Sequence, residues 1–165
     1  MRLGHVVAAV AVGFLFALTS VAQDAKPAAA EPQWLTSFDA ALAEAQKSGK
    51  PILAYFTGLD SDPWADPWSW KLRREVFDKK EFKEWAAKNV VLLELSFPFR
   101  RPQDEATKKA NADLAKKYNV EGCPTVVFMN ADGTQLGQSG YDRNGPKPWI
   151  ENAKKILDAK KPAKP

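Results

Sequence analysis

The sequence is poor in the two residues that most often provide nucleophiles and metal ligands. Its 165 residues include one cysteine, Cys123, and one histidine, His5. A single cysteine excludes any disulfide within the chain. His5 lies in an N-terminal segment that we expect to be removed. The mature chain would then have no histidine, which excludes a Ser-His or Cys-His nucleophile pair and any histidine metal ligand.

Neither sign of charge dominates the sequence. The formal net charge is +4, hydrophobic residues make up 45% and charged residues 27%, which is ordinary for a soluble globular domain. The lysines are scattered, and many lie near the C-terminus, so their charge indicates solubility and only weakly favours an acidic partner. No motif is typical of nucleic-acid binding, and we expect no nucleic-acid partner.

An apolar run long enough to cross a membrane is also absent from the sequence. Val6 to Leu18 is nearly all apolar, but a spanning helix needs about 20 such residues. With Arg2 before the run and the small residues Ser20 to Ala22 after it, the pattern predicts a cleaved signal peptide over residues 1–22. The cleavage point has no cysteine for a lipid anchor. We therefore expect a periplasmic or secreted protein without a membrane anchor.

Beyond the signal peptide, the sequence predicts a flexible linker over the Ala- and Pro-rich residues 23–33, one folded domain over residues 34–159 and a disordered tail over residues 160–165.

Apolar periodicity within the domain predicts alternating helices and strands. Gln33 to Thr36 is interpreted as either a short strand or a packing clip. We expect Ala110, Leu114 and Tyr118 on the inner face of the fourth helix. The expected helices are 37–47, 69–77, 81–88, 104–118 and one beginning at Pro146 or Pro148; the expected strands are 51–56, 90–96, 126–129 and 134–139.

This order of elements favours one architecture. Parallel strands joined by helices need cover on both faces, so we predict a three-layer α/β/α sandwich. Its mixed sheet would end in a β-hairpin, closed by the turn residues Asn130 to Gly133 and followed by a C-terminal helix.

Several motifs resemble the thioredoxin family. The segment Gly122-Cys123-Pro124-Thr125 lies between a helix and a buried strand, and Phe56-Thr57-Gly58 follows the first long strand. The resemblance implies a thioredoxin fold and a cis bond between Cys123 and Pro124. It also implies a groove beside Gly122, Cys123, Pro124 and Thr125 that holds an extended segment of a client protein. The other matches are Lys71-Leu72, Glu75-Val76-Phe77, Asn111 with Leu114, and Gly140-Tyr141.

The resemblance fails where that family does its chemistry. Members similar to this chain read W-C-x-x-C-x-K-L after Phe-Thr-Gly, and counting back from Lys71 puts Asp66 and Ser69 at the attacking and resolving cysteines. Thiol–disulfide exchange needs a thiolate, which Asp and Ser cannot supply. The loop is longer than the family pattern, but no alignment can change the conclusion because the loop contains no cysteine. Tyr55 replaces the buried acid that many thioredoxins carry.

The acidic residues of the loop allow two interpretations. Asp60, Asp62 and Asp66 could bind a hard cation through oxygen ligands. The same residues are favoured in turns and at helix starts, and nothing matches a recognised calcium loop, so we expect caps, no metal and no cofactor. Ser69 and Lys71 fall on different helix faces, which argues against a Ser/Lys nucleophile.

The remaining questions concern what the chain binds. Trp64, Trp68 and Trp70 could form an aromatic contact surface or could pack on the core, and the sequence leaves both open. The favoured hypothesis is a monomeric, non-catalytic module that binds an extended peptide or an envelope protein client. The alternatives are a monothiol redox protein acting through Cys123 by mixed disulfide, and a purely structural domain of an envelope assembly. Without a cationic neighbour, the pKa of Cys123 should stay near or above about 8.5.

Overall fold

The computed structural model describes residues 31–58 and 64–159. Strands and helices alternate along these residues up to a final hairpin and helix. In chain order the elements are β1 (Trp34–Leu35), α1 (Phe38–Ser48), β2 (Ile52–Thr57), α2 (Pro67–Leu72) continued by a π-helical turn (Arg73–Phe77), α3 (Lys80–Asn89), β3 (Val91–Ser96), α4 (Glu105–Lys117), β4 (Thr125–Met129), β5 (Gln135–Ser139) and α5 (Pro146–Asp158).

The five strands form one mixed sheet in the order β1-β3-β2-β4-β5. The central strand β2 runs parallel to β3 and antiparallel to β4. Strand β1 pairs with β3 in parallel, so residues 33–36 contain the short strand that was one of the two interpretations. Strands β4 and β5 form the expected antiparallel hairpin.

Helices cover both faces of the sheet, which confirms the predicted three-layer sandwich. One apolar core lies under α1 and α4, and the other lies under α2, its π turn, α3 and α5. All six residues of β2 are buried because both faces of this strand are covered. Trp149 of α5 is the largest fully buried side chain, and its ring meets Phe77, Phe82 and Phe128.

Local sequence explains where several elements begin and end. Ser37 caps α1, since its Oγ accepts a hydrogen bond from the backbone N–H of Ala40 at 3.4 Å. The helix ends at Gly49, whose φ of 69° is a left-handed conformation that glycine adopts readily. Asp104 caps α4 through the N–H of Thr107 at 2.9 Å.

The second helix departs from the prediction in two ways. It begins at Pro67 instead of Ser69, because proline needs no N–H donor in the first turn. It then widens into the π turn, where the N–H of Asp78 donates to the carbonyl oxygen of Arg73 at 2.8 Å. The wider turn leaves the consecutive residues Val76 and Phe77 both buried.

The prediction for the inner face of α4 was wrong at one residue. Ala110 is exposed, and the neighbouring Asn111 is buried instead. The Nδ2 of Asn111 donates to the carbonyl oxygen of Ser96 at 2.9 Å, so its amide has a partner at the end of β3. Apolar periodicity alone could not predict that a polar residue, Asn111, would be buried in place of Ala110.

Three segments lie outside the described residues, and predictions made for them remain predictions. They are residues 1–30, with the signal peptide and most of the linker, residues 59–63, with Asp60 and Asp62, and the tail 160–165. At the described end of the linker, Glu31 pairs with Lys83 at 2.7 Å. Within residues 31–58 and 64–159, each helix is too short or too polar to cross a membrane.

Candidate functional site

The candidate site lies at one end of the central strand. Phe56 on β2 pairs with Thr125 at the start of β4, and Thr57 pairs with Ser96 at the end of β3. The chain that leaves β2 and the chain that enters β4 therefore meet at the same end of the sheet. This juxtaposition brings the predicted degenerate positions beside the predicted groove.

The loop before β4 has the expected shape. The peptide bond between Cys123 and Pro124 is cis, which confirms the sequence prediction. Thr125 Oγ1 donates to the carbonyl oxygen of Gly122 at 2.7 Å, which closes the turn. Gly140, which follows β5, lies against the loop, since a Cβ there would meet the carbonyl oxygen of Pro124 at 3.5 Å. These contacts hold the turn Gly122 to Thr125 against the residue that follows β5.

Asp66 joins the end of β2 to the start of α2. Its Oδ1 accepts from the backbone N–H of Ser69, and its Oδ2 accepts from the backbone N–H of Gly58, both at 3.0 Å. Asp66 is therefore the N-cap of α2, the role that the sequence favoured over cation binding. Gly58 permits this approach, because a Cβ at that position would lie 2.8 Å from Asp66 Oδ2.

The only thiol of the chain lies beside this carboxylate. Cys123 is exposed as a residue, yet burial of its sulfur is the main cause that raises the pKa of its thiol to about 11. The nearby Asp66 carboxylate also raises this pKa, while a hydrogen bond from the backbone of Gly58 lowers it. The thiol is thus protonated at neutral pH, in agreement with the expectation that it is not activated.

Ser69 lies below this surface and is fully buried. Its carbonyl oxygen accepts a hydrogen bond from the Tyr55 hydroxyl at 2.9 Å, whereas its own Oγ has no partner among the described residues. Burial raises the pKa of Tyr55 to about 12, so the phenol stays a donor at neutral pH. Lys71, two residues further along α2, contacts the Trp68 ring, and nothing brings it to the Ser69 hydroxyl.

The three tryptophans of the loop and of α2 are exposed. The exposed fractions are 86% for Trp64, 52% for Trp68 and 39% for Trp70. This exposure excludes full packing in the core as their role. Phe99, in the loop after β3, is another large apolar residue in solvent, at 82% exposed.

Tyr141, which the sequence marked only as a family match, contacts both Trp68 and Glu75. Its ring lies 5.6 Å from that of Trp68, and its hydroxyl donates to Glu75 Oε2 at 2.5 Å. This bond is the main cause that raises the pKa of Tyr141. The family match was the only sequence signal for this position, and it predicts no contact between Tyr141 and α2.

The cation site proposed as an alternative has little support among the described residues. Asp66 is occupied with capping, and Asp60 and Asp62 lie outside the described part of the chain. Within the described ranges, no three residues of the His, Cys, Asp and Glu types are grouped closely enough to hold a metal ion.

Comparison with known proteins relates this geometry to one family. A family model described as "Thioredoxin-like domain" matches residues 38–153. The chain is 33% identical over 136 residues to "Disulfide bond reductase DsbH" of Chlamydia pneumoniae, a match that covers 82% of this chain and 79% of that relative. It is 31% identical over 127 residues to "Thiol:disulfide interchange protein DsbD" of Klebsiella pneumoniae, of which it covers only 18%.

Solved structures agree with this relationship. A structure titled "DsbH Oxidoreductase" superposes with a TM-score of 0.71 at 31% identity, and the match covers 82% of this chain and 92% of that one. A thioredoxin from Thermus thermophilus superposes with a TM-score of 0.58 at 18% identity, covering 78% and 88% of the two chains. The second likeness supports the fold alone.

Proposed function

The chain belongs to the family of proteins with a thioredoxin-like domain, and from this premise we propose that it binds an extended protein segment without dithiol chemistry. The binding site is the groove between α2 and the loop Gly122–Thr125, beside the cis bond of Pro124. The client is an extended peptide or an envelope protein. Export follows from the signal peptide predicted over residues 1–22.

The observation that carries this proposal is the state of Asp66. At the helix start, where a redox-active relative would need a thiolate, the chain has a carboxylate whose two oxygens already accept the N–H groups of Ser69 and Gly58. Helix dipole and amide donors favour a negative group at this position. The carboxylate thus satisfies the helix start but cannot attack a sulfur atom.

The names of the relatives point to disulfide chemistry, which this chain can share only in part. One relative is named a disulfide bond reductase and the other a thiol:disulfide interchange protein. This chain has one cysteine, so it cannot form the intramolecular disulfide that completes dithiol exchange. What it retains is the fold and the rim of the groove.

The rim supports binding of an extended segment. Trp68 and Tyr141 form an aromatic pair at α2, and Gly122 to Thr125 form the turn before β4. Exposed aromatic side chains are common anchors of interfaces, since they bury a large area with few rotatable bonds. Trp64 and Trp70 are further exposed aromatic residues before and within α2.

The monothiol alternative conflicts with the electrostatics at Cys123. A pKa of about 11 leaves only a minute thiolate fraction at neutral pH. Both burial and the Asp66 carboxylate oppose ionisation. We therefore assign Cys123 to the wall of the groove and do not assign it a redox role.

A binding measurement tests the proposal. The mature chain is titrated with short blocked peptides of extended sequence that lack cysteine, and heat or peptide fluorescence polarisation is followed. We expect measurable binding to the wild type, clear weakening in Trp68→Ala and retention in Trp68→Phe. No binding of any such peptide, or equal affinity of the wild type and Trp68→Ala, would contradict the proposal.

A further inference from the structure

The outer face of α2 carries positive charge beside its aromatic rings. The Nζ atom of Lys71 lies 4.7 Å from the centre of the Trp68 ring, and the guanidinium of Arg74 lies 5.8 Å from that of Trp70. Within the described chain, Lys71 has no carboxylate within 4.0 Å of its ammonium group, whereas Arg74 has Asp78 at 3.8 Å. Lys71 is therefore a cation at the groove without an acidic partner in the described residues.

The acidic groups near this surface already accept hydrogen bonds within the chain. Asp66 accepts two backbone N–H groups, and Glu75 accepts the hydroxyl of Tyr141. Asp142 accepts the backbone and side-chain N–H groups of Asn144 at 3.0 and 2.6 Å. These hydrogen bonds fix the acids in place but leave them charged, and Asp66 and Glu75 belong to α2 and its π turn. Lys71 differs from them in lying beside the Trp68 ring, where no carboxylate of the described residues pairs with it.

We propose that the groove selects extended segments in which an acidic residue adjoins an apolar one. The apolar side chain packs on Trp68 and Tyr141, and the carboxylate lies over the outer face of α2 at Lys71. Arg74 adds a weaker contribution because it already pairs with Asp78. This inference rests on the proposed binding function and adds to it the chemistry of the partner.

The size of the expected preference follows from the exposure of this surface. A solvent-accessible ion pair contributes little free energy, so one correct carboxylate should strengthen binding about two- to fivefold. Salt screens such a pair, and the preference should shrink as ionic strength approaches about 1 M. The apolar contact, which salt does not screen, should persist.

Three blocked peptides test the inference. They share an extended sequence with a central leucine and differ only in its neighbour, which is Glu, Gln or Lys. For the wild type at low salt we expect the order of affinity Glu, then Gln, then Lys. Lys71→Gln should remove the preference for Glu, and Lys71→Glu should reverse the order. Lys116→Glu is the matched control, since this exposed lysine is on α4, across the sheet from α2.

Each outcome separates this inference from the function on which it rests. Equal affinity of the wild type for the three peptides would overturn the acidic preference and leave peptide binding intact. The same reversal of the order in Lys116→Glu as in Lys71→Glu would assign the preference to net charge and also overturn the role of Lys71. Absence of binding for all three peptides would overturn the binding function itself.

Discussion

The Tyr55 hydroxyl donates a hydrogen bond to the carbonyl oxygen of Ser69 at 2.9 Å, so the central strand is tied directly to the helix of the candidate site. Both residues are fully buried. By the family resemblance, these two positions serve proton transfer and thiol chemistry in redox-active members. In this chain, the same two positions make a structural contact.

Replacing Tyr55 by phenylalanine should destabilise the protein. The change removes one donor, while the Ser69 carbonyl keeps the backbone N–H of Arg73, so we expect a cost of about 0.5–1.5 kcal/mol. Urea unfolding followed by circular dichroism measures the change. Tyr141→Phe is the control, and we expect a smaller loss because water can replace a partner at the surface. An equal or smaller loss in Tyr55→Phe would contradict this account.

Tyr55 should also affect stability at high pH. The pKa of Tyr55 is about 12 in the folded protein and about 10 in an unfolded chain, so ionisation favours unfolding. Its contribution is complete below pH 10 and is lost as the pH rises to about 12. The free energy of unfolding should therefore fall more steeply over this range in the wild type than in Tyr55→Phe. Parallel curves for the two proteins would show that Tyr55 ionises normally.

Loss of the Asp66 cap should cost more than loss of the Asp104 cap. Asp66 accepts backbone N–H groups from two elements, whereas Asp104 accepts the N–H of Thr107 within its own helix. We expect Asp66→Ala to lower the free energy of unfolding by about 1–2 kcal/mol. Thermal unfolding of both alanine variants makes the comparison. If Asp104→Ala were the less stable variant, the hydrogen bond from Gly58 to Asp66 would contribute little to the free energy of unfolding.

Cys123 should react slowly with iodoacetamide at neutral pH. Its rate should rise steadily with pH without a plateau below about 11, because burial and the Asp66 carboxylate hold the thiol protonated. Asp66→Asn should react faster at each pH, since the neighbouring negative charge is removed, while Asp142→Asn serves as a charge-matched control. Mass spectrometry gives the rates, with denatured protein as reference. Rapid labelling that levels off near neutral pH would instead favour monothiol chemistry.

The wild type should not accelerate dithiothreitol-driven reduction of insulin above background. The double change Asp66→Cys and Ser69→Cys supplies a thiol at the start of α2 and a second one a turn later, so this variant should gain activity. Asp66→Ala with Ser69→Ala is the matched control and should stay inactive. Turnover by the wild type at the rate of an ordinary thioredoxin would contradict the proposed function.

Much of the fold could be predicted because its determinants are local. Ser37 and Gly49 delimit α1 by capping, and Gly133, at a φ of 82°, marks the turn of the terminal hairpin. The π turn after Leu72 could not be predicted, since its five residues have ordinary helical character and the burial of both Val76 and Phe77 depends on other elements. The buried amide of Asn111 likewise depends on a carbonyl group from another element.

The candidate site was predictable in its residues but not in its contacts. The motifs indicated that Asp66, Ser69 and Cys123 belong to one region, and the structure brings the end of β2, the start of α2 and the cis-proline loop together. The contact of Trp68 with Tyr141 joins residues 73 positions apart, so no local pattern predicts it.

The distribution of the six tryptophans makes the protein its own optical reporter. Trp64, Trp68 and Trp70 are exposed before and within α2, whereas Trp149 is 1% exposed and lies among aromatic rings of the core. Indoles in water emit at longer wavelength than indoles in an apolar interior, and they are open to soluble quenchers. A ligand in the groove should therefore shield the red-shifted part of the emission and leave the blue-shifted part unchanged. Unfolding should alter both, so one label-free spectrum distinguishes occupancy from loss of structure.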